Sequence, residues 1–226
     1  MCGRITMTEK NSQVLAEELG VPPSAVPASY KPRYNLAPMQ EHFIVRLRRE
    51  ERELLVARWG LVNRWAKDNR DAAKRINARA ETIDTSGVFR DAFKLRRCVV
   101  PCDGYYEWTG PKTARQPLWF HRPYGGLLLL AGLYESWQRE PGLWETTFTV
   151  ITTGANQLAA AIHDRMPAIL LPDNVDAWLD ERNPDLAGLK RLLAPAPAEL
   201  LVATPASPLV NNVANDSAEC LGDHAR

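Results

Sequence analysis

Apolar and polar positions alternate along much of this 226-residue chain. In residues 42–48, Phe43, Val45 and Leu47 fall on one side and Arg46 and Arg48 on the other, the period-two pattern of a half-buried strand. Residues 53–58, 97–101, 118–122, 127–134 and 146–152 also read as strands, and the β-branched Thr147, Thr149 and Val150 suit a pleated surface. Helical spacing is rarer. Thr8 is positioned to cap a short helix through Leu19, with Val14, Leu15 and Leu19 on its buried side. Residues 154–162, 172–179 and 185–193 are the other helical segments, the first rich in Ala with Asn156 near its start. The prolines from Pro22 to Pro38 predict an ordered, extended loop. Strands outnumber helices, and the helices are interspersed. The pattern predicts a single-domain α+β fold, a curved mixed β-sheet or barrel-like core flanked by short helices, over residues 1–215. Residues 216–226 are expected to be a poorly ordered tail.

Composition is that of a soluble globular protein, and the formal net charge of +1 creates no global field toward nucleic acid or membrane. The distribution is more informative. Residues 58–97 hold eleven Lys and Arg against five Asp and Glu, about +6 against about −5 for the remainder. That suggests one polyanion-facing surface, although a solvated charged face gives the same pattern. The apolar run at 127–130 is of strand length, and the N-terminus lacks a signal pattern, so a cytoplasmic or nucleoid-associated protein with no membrane partner is expected. The absence of a heptad pattern favours a monomer. Cys98 and Cys102 lack a second ligand pair, so no metal and no cofactor are expected, and both read as small buried hydrophobes.

Four short segments could carry chemistry. Removal of Met1 would leave Cys2 as a 1,2-aminothiol, whose α-amine has a reference pKa of about 7.7–8.0 and is partly neutral at pH 7. Such a pair condenses with an aldehyde to an imine, and the thiol then closes a thiazolidine. By position alone, an early cysteine is more often incidental. In Ile76-Asn77-Ala78-Arg79, Asn77 offers a donor and an acceptor and Arg79 a planar fork for phosphate, though surface polars would look the same. In Asp103-Gly104-Tyr105-Tyr106-Glu107-Trp108, Glu107 is a carboxylate among aromatics, suited to acid/base work or else simply outward-facing on a strand. In Ile162-His163-Asp164-Arg165-Met166-Pro167, His163 is a candidate proton shuttle or a satisfied structural histidine. His42 and His121 lie within strands and read as structural.

Taken together, MCGR, YNLAP, RWGL, INARAET, RCVVPCDGYYEW and IHDRMP, in this order, resemble the SOS-response-associated peptidase family of abasic-site processing proteins. The resemblance runs from residue 2 to about residue 215. It implies a protein that crosslinks itself to abasic sites in single-stranded DNA. By that resemblance Cys2 is the crosslinking nucleophile and Asn77 positions the deoxyribose and the amine. Glu107 is the acid/base and His163 the second proton-transfer residue. Arg4 and Arg79 are implied phosphate contacts, and Trp59 and Trp65 implied contacts around the DNA. Asn63 stands where the family often has proline. Two other readings compete: a thiol peptidase or autopeptidase that removes its own Met1 through Cys2 and His163, and a non-enzymatic DNA-binding module built on the basic stretch.

Overall fold

The alternating segments close into a barrel. The computed structural model describes residues 2–111 and 113–224. Along the described chain the strands are β1 (Ile5–Met7), β2 (Arg33–Leu36), β3 (Glu41–Arg48), β4 (Glu51–Trp59), β5 (Asn77–Arg79), β6 (Arg97–Cys102), β7 (Gly104–Thr109), β8 (Gln116–His121), β9 (Leu128–Glu140), β10 (Leu143–Gly154), β11 (Arg165–Pro167), β12 (Ile169–Leu170) and β13 (Val202–Pro205). The helices are α1 (Ser12–Leu19), α2 (Arg90–Leu95), α3 (Gln157–Ala160), α4 (Val175–Leu179) and α5 (Leu186–Arg191).

Strand β3 pairs with β4 on one side and β6 on the other, β6 pairs with β9, and β9 pairs with β10. The ring closes where β10 runs parallel to β4, at Thr147↔Arg58 and Phe148↔Trp59. Beyond that point β10 continues alongside β5, again parallel, with Val150 opposite Asn77 and Thr152 opposite Arg79. A second, five-stranded sheet has the order β13-β8-β7-β1-β2 and is antiparallel throughout. The α+β architecture with a barrel-like core is therefore as the alternation predicts.

Short helices leave many carbonyls without intrahelical partners. One side chain serves two of them: the buried Arg97 guanidinium donates to Phe93 O and Lys94 O in α2 and to Trp178 O in α4, each at 2.7 Å. His42, buried in β3, places Nε2 2.6 Å from Pro101 O. A carbonyl only accepts, so Nε2 carries the proton, and burial pushes the ring's pKa down to about 4. Cys98 and Cys102 are fully buried in β6.

One local expectation is corrected. Helix α1 starts at Ser12 with Asn11, not Thr8, as its cap; Asn11 Oδ1 accepts from Gln13 N–H at 3.0 Å. Thr8 instead donates its N–H and its hydroxyl to Asp103, the latter at 2.7 Å. After Asn215 the chain is tied to β2 and β7 through three residues. Asp216 accepts the backbone N–H of Tyr34 at 2.6 Å and of Asn35 at 2.8 Å, and pairs with Arg33. Cys220 and Leu221 lie buried against Tyr106 and Val210. Composition there is polar, but a single carboxylate satisfying the backbone of β2 anchors the segment. Asp216→Ala should destabilise the fold by about 2–4 kcal/mol, since hydrogen bonds to a charged group contribute about 1.5–3 kcal/mol each. Urea unfolding measures this, and an unchanged midpoint would show the segment to be dispensable.

Candidate active site around Cys2

The N-terminal residues lead into β1, which is hydrogen-bonded between β2 and β7. Ile5 lies opposite Leu36 on one side and Tyr105 on the other, and Tyr106 N–H donates to Arg4 O at 2.9 Å. This pairing carries Cys2 into the core. The residue is fully buried, in one cluster with Ile5, Trp59, Cys102, Tyr105, Phe120, Phe148 and Val150. Burial, then the Glu107 carboxylate, drives its thiol well above the ordinary range, and a hydrogen bond from the Arg4 backbone offsets only part of this.

Strand β5 brings Asn77 to the same place. Asn77 Nδ2 donates to Cys2 O at 2.8 Å, while its Oδ1 is buried without a hydrogen-bond partner. Arg79, two residues on and thus on the same face of β5, stands exposed beside it. On β7 the same periodicity divides the aromatics. Tyr106 and Trp108 join the Tyr34, Val210 and Leu221 cluster, whereas Tyr105 and Glu107 turn toward Cys2. Glu107 is buried, not outward-facing.

His163 follows α3, whose cap is Asn156, with Oδ1 accepting Ala159 N–H at 2.9 Å. Its hydrogen bonds are local: Nδ1 accepts from Arg165 N–H at 3.0 Å and lies 2.8 Å from Asp164 Oδ1. The neighbouring Ile162 packs against the Cys2 cluster.

The structure thus joins Cys2, Asn77 and Glu107 directly and sets His163 at the flank of their cluster. The expected DNA contacts divide. Trp65 is 66% exposed on the loop after β4, as a stacking residue must be. Trp59 is 0% exposed, stacked on Phe148 at 5.9 Å with its Nε1–H donated to Ile76 O at 2.8 Å, so in this structure it supports β5 from the core. Arg4 is largely engaged inside the protein. Its Nη1 donates to Asn35 Oδ1 at 2.6 Å and Val210 O at 2.8 Å, and its guanidinium sits 5.7 Å from the Trp108 ring centroid. Asn63 is buried, bridging Val88 O at 2.7 Å and Arg75 at 2.9 Å, which pins the Trp65 loop without a proline. Much of the basic stretch is neutralised: Arg58 pairs with Glu145, Arg70 with Asp68, Lys74 with Asp71 and Arg96 with Glu135. Sequence reasoning missed two residues here. Asn35 holds Arg4, and Tyr105 shares the face of Glu107; the i, i+2 spacing within Tyr105-Tyr106-Glu107 was the available signal. Among the described residues no His, Cys, Asp and Glu group could hold a metal ion, and no helix is long and apolar enough to cross a membrane.

The fold is a closed barrel flanked by an antiparallel sheet, with Cys2 buried beside Asn77 and within the electrostatic reach of Glu107. The chain belongs to the SOS response associated peptidase (SRAP) family, whose model matches residues 1–213. It is 38% identical to the abasic site processing protein YoqW of Bacillus subtilis (strain 168), over 99% of this chain and 100% of that one. It is 32% identical to the abasic site processing protein HMCES of Xenopus tropicalis, over 85% of this chain and 66% of that one. A crystal structure of a protein from Bacteroides thetaiotaomicron superposes with a TM-score of 0.81 at 26% identity, covering 93% of this chain and 95% of that one.

A thiol held above the ordinary range is protonated at neutral pH, and only the thiolate alkylates. In the chain that retains Met1, Cys2 should react with iodoacetamide more slowly at pH 7.5 than free cysteine, with a rate still rising past pH 9. Peptide mass spectrometry of the labelled protein measures this; rapid labelling that levels off near pH 8 would contradict it.

Proposed function

We propose that this protein captures abasic sites in single-stranded DNA by covalent attachment to Cys2. The observation that carries the reading is the contact of Asn77 with Cys2 beside the buried Glu107, and the names of the relatives support it. With Met1 removed, the neutral α-amine adds to the C1′ aldehyde of the ring-opened deoxyribose, and water leaves to give an imine. The thiol then adds across the C=N bond: a C–S bond forms, and the thiol proton passes to nitrogen. Asn77 holds the Cys2 backbone through its Nδ2, and its unpartnered Oδ1 is an acceptor for the amine or a sugar hydroxyl. Glu107 moves protons at the reacting carbon, and His163 serves sugar-ring opening from the flank; one positioned acid or base is worth about 10²- to 10⁴-fold. The exposed Trp65 and Arg79 supply a stacking surface and a phosphate contact.

The test is a denaturing gel of the trimmed protein mixed with abasic single-stranded DNA. A shifted band that survives denaturation is expected from the native N-terminus. None is expected from Cys2→Ser or from protein carrying an uncleaved N-terminal extension. Stable adduct from either variant would sink the assignment to Cys2.

Self-removal of Met1 is a second reading, favoured by the family's description as a peptidase. The raised Cys2 thiol argues against a peptidase acting on other proteins, since that chemistry needs a depressed thiol. Protein produced without methionine aminopeptidase is expected to show loss of Met1 by mass spectrometry if the chain processes itself; full retention of Met1 argues against it. A purely DNA-binding module is disfavoured by the internal pairing of the basic stretch.

A further inference from the structure

Buried polar groups in folded proteins nearly always have hydrogen-bond partners, and an exception calls for an explanation. The Tyr105 hydroxyl is such an exception. Tyr105 is fully buried, and its hydroxyl has no partner. The ring cannot swing away to find one, because it is stacked on Phe120 with centroids 4.9 Å apart and planes 9° apart. Residue 105 is fixed opposite Ile5, three residues from Cys2, and belongs to the same buried cluster as Cys2. Its strand presents Glu107 on the same face. The groups that act electrostatically on the phenol are, in order, Cys2, Glu107 and Cys102, and burial keeps it protonated. A donor without a hydrogen-bond partner therefore lies in the same buried cluster as the reacting sulfur.

We infer that Tyr105 is a further catalytic residue, whose hydroxyl donates a hydrogen bond to Cys2 Sγ as the thiol closes the ring. The inference rests on the crosslinking reading above. Ring closure moves a sulfur lone pair onto C1′ and the C=N electron pair onto nitrogen, and the thiol proton ends on that nitrogen, carried by Glu107. Negative charge gathers on sulfur whenever the proton leaves ahead of C–S bond formation. Burial and the Glu107 carboxylate both oppose that charge. A hydrogen bond donated to the charged form favours it, and a donor whose ring is already held by packing gives up little freedom in making that bond. Imine formation, which uses the amine, does not need Tyr105. The residue therefore governs the second step and not the first.

Tyr105→Phe removes only the hydroxyl and keeps the ring stack. Wild type and variant are mixed with abasic single-stranded DNA, with and without borohydride, which reduces an imine to a stable amine. Wild type must first give the borohydride-independent adduct; if it gives none, the crosslinking reading itself falls. Given that adduct, Tyr105→Phe is expected to match wild type in early borohydride-trapped imine. It should form the borohydride-independent adduct about tenfold or more slowly, given the ~10²- to 10³-fold cost of removing one preorganised donor elsewhere. Its melting temperature should not fall, because an unsatisfied group has been deleted. Ring closure at the wild-type rate would overturn the inference. So would loss of both adducts in equal proportion, with or without a lower melting temperature, because that would mark a structural role.

Discussion

The site depends on one constraint, the capture of the N-terminus as an interior strand. Chain termini are usually frayed, and a catalytic group on a frayed end would have to be ordered in every turnover. Here β1 is hydrogen-bonded on both edges. Asp103 reinforces it, accepting the Thr6 hydroxyl and both the N–H and hydroxyl of Thr8. Gly104 admits the Trp119 indole against that strand, where Trp119 Nε1–H reaches Thr6 Oγ1 at 3.1 Å; a Cβ at residue 104 would fall 2.0 Å from that nitrogen. The ordering entropy of residues 2–8 is thus met by folding, and Cys2 is held relative to Asn77 and Glu107 before any ligand arrives.

Burial at Cys2 has two opposed effects. It suppresses the thiolate, which protects the sulfur from alkylation and oxidation. It also lowers the local dielectric, so that on the crosslinking reading the Asn77 amide and the Glu107 carboxylate act more strongly on charge that develops there. A surface cysteine would be reactive toward everything. A buried one is unreactive unless a ligand brings an electrophile and proton acceptors are already in place. The orphaned Asn77 Oδ1 fits a site whose hydrogen bonding is completed by something other than the protein.

How far the fold could be read from the chain varied with element length. The strands β3, β4, β9 and β10 carry long alternating or continuous apolar stretches, so their existence was legible and only their ends shifted. The three-residue strands β1 and β5 carry too few residues for any period to emerge; their neighbours make them strands, and these two elements hold Cys2 and Asn77. A tryptophan next to basic residues looks the same in sequence whether it faces solvent or, like Trp59, Phe148. Polar composition after Asp216 likewise does not reveal that one carboxylate meets the backbone of a strand some 180 residues away. Glu107 and His163 were legible as chemistry, but their burial and local partners depended on tertiary contacts.

Charge pairing also bears on how such a protein would hold DNA. Each phosphate contact made by an available cation contributes to a salt-dependent affinity, with a slope of roughly 0.7 per phosphate on single strands. Ion pairs with Glu145, Asp68, Asp71 and Glu135 withdraw several cations from that role, and Arg97 spends its donors on carbonyls. Arg79 is exposed two residues from Asn77, and Trp65 is exposed on the loop between β4 and β5. On the crosslinking reading, retention then comes from the bond at Cys2 rather than from electrostatic affinity: intact strands are released, and only a strand that offers an aldehyde is kept.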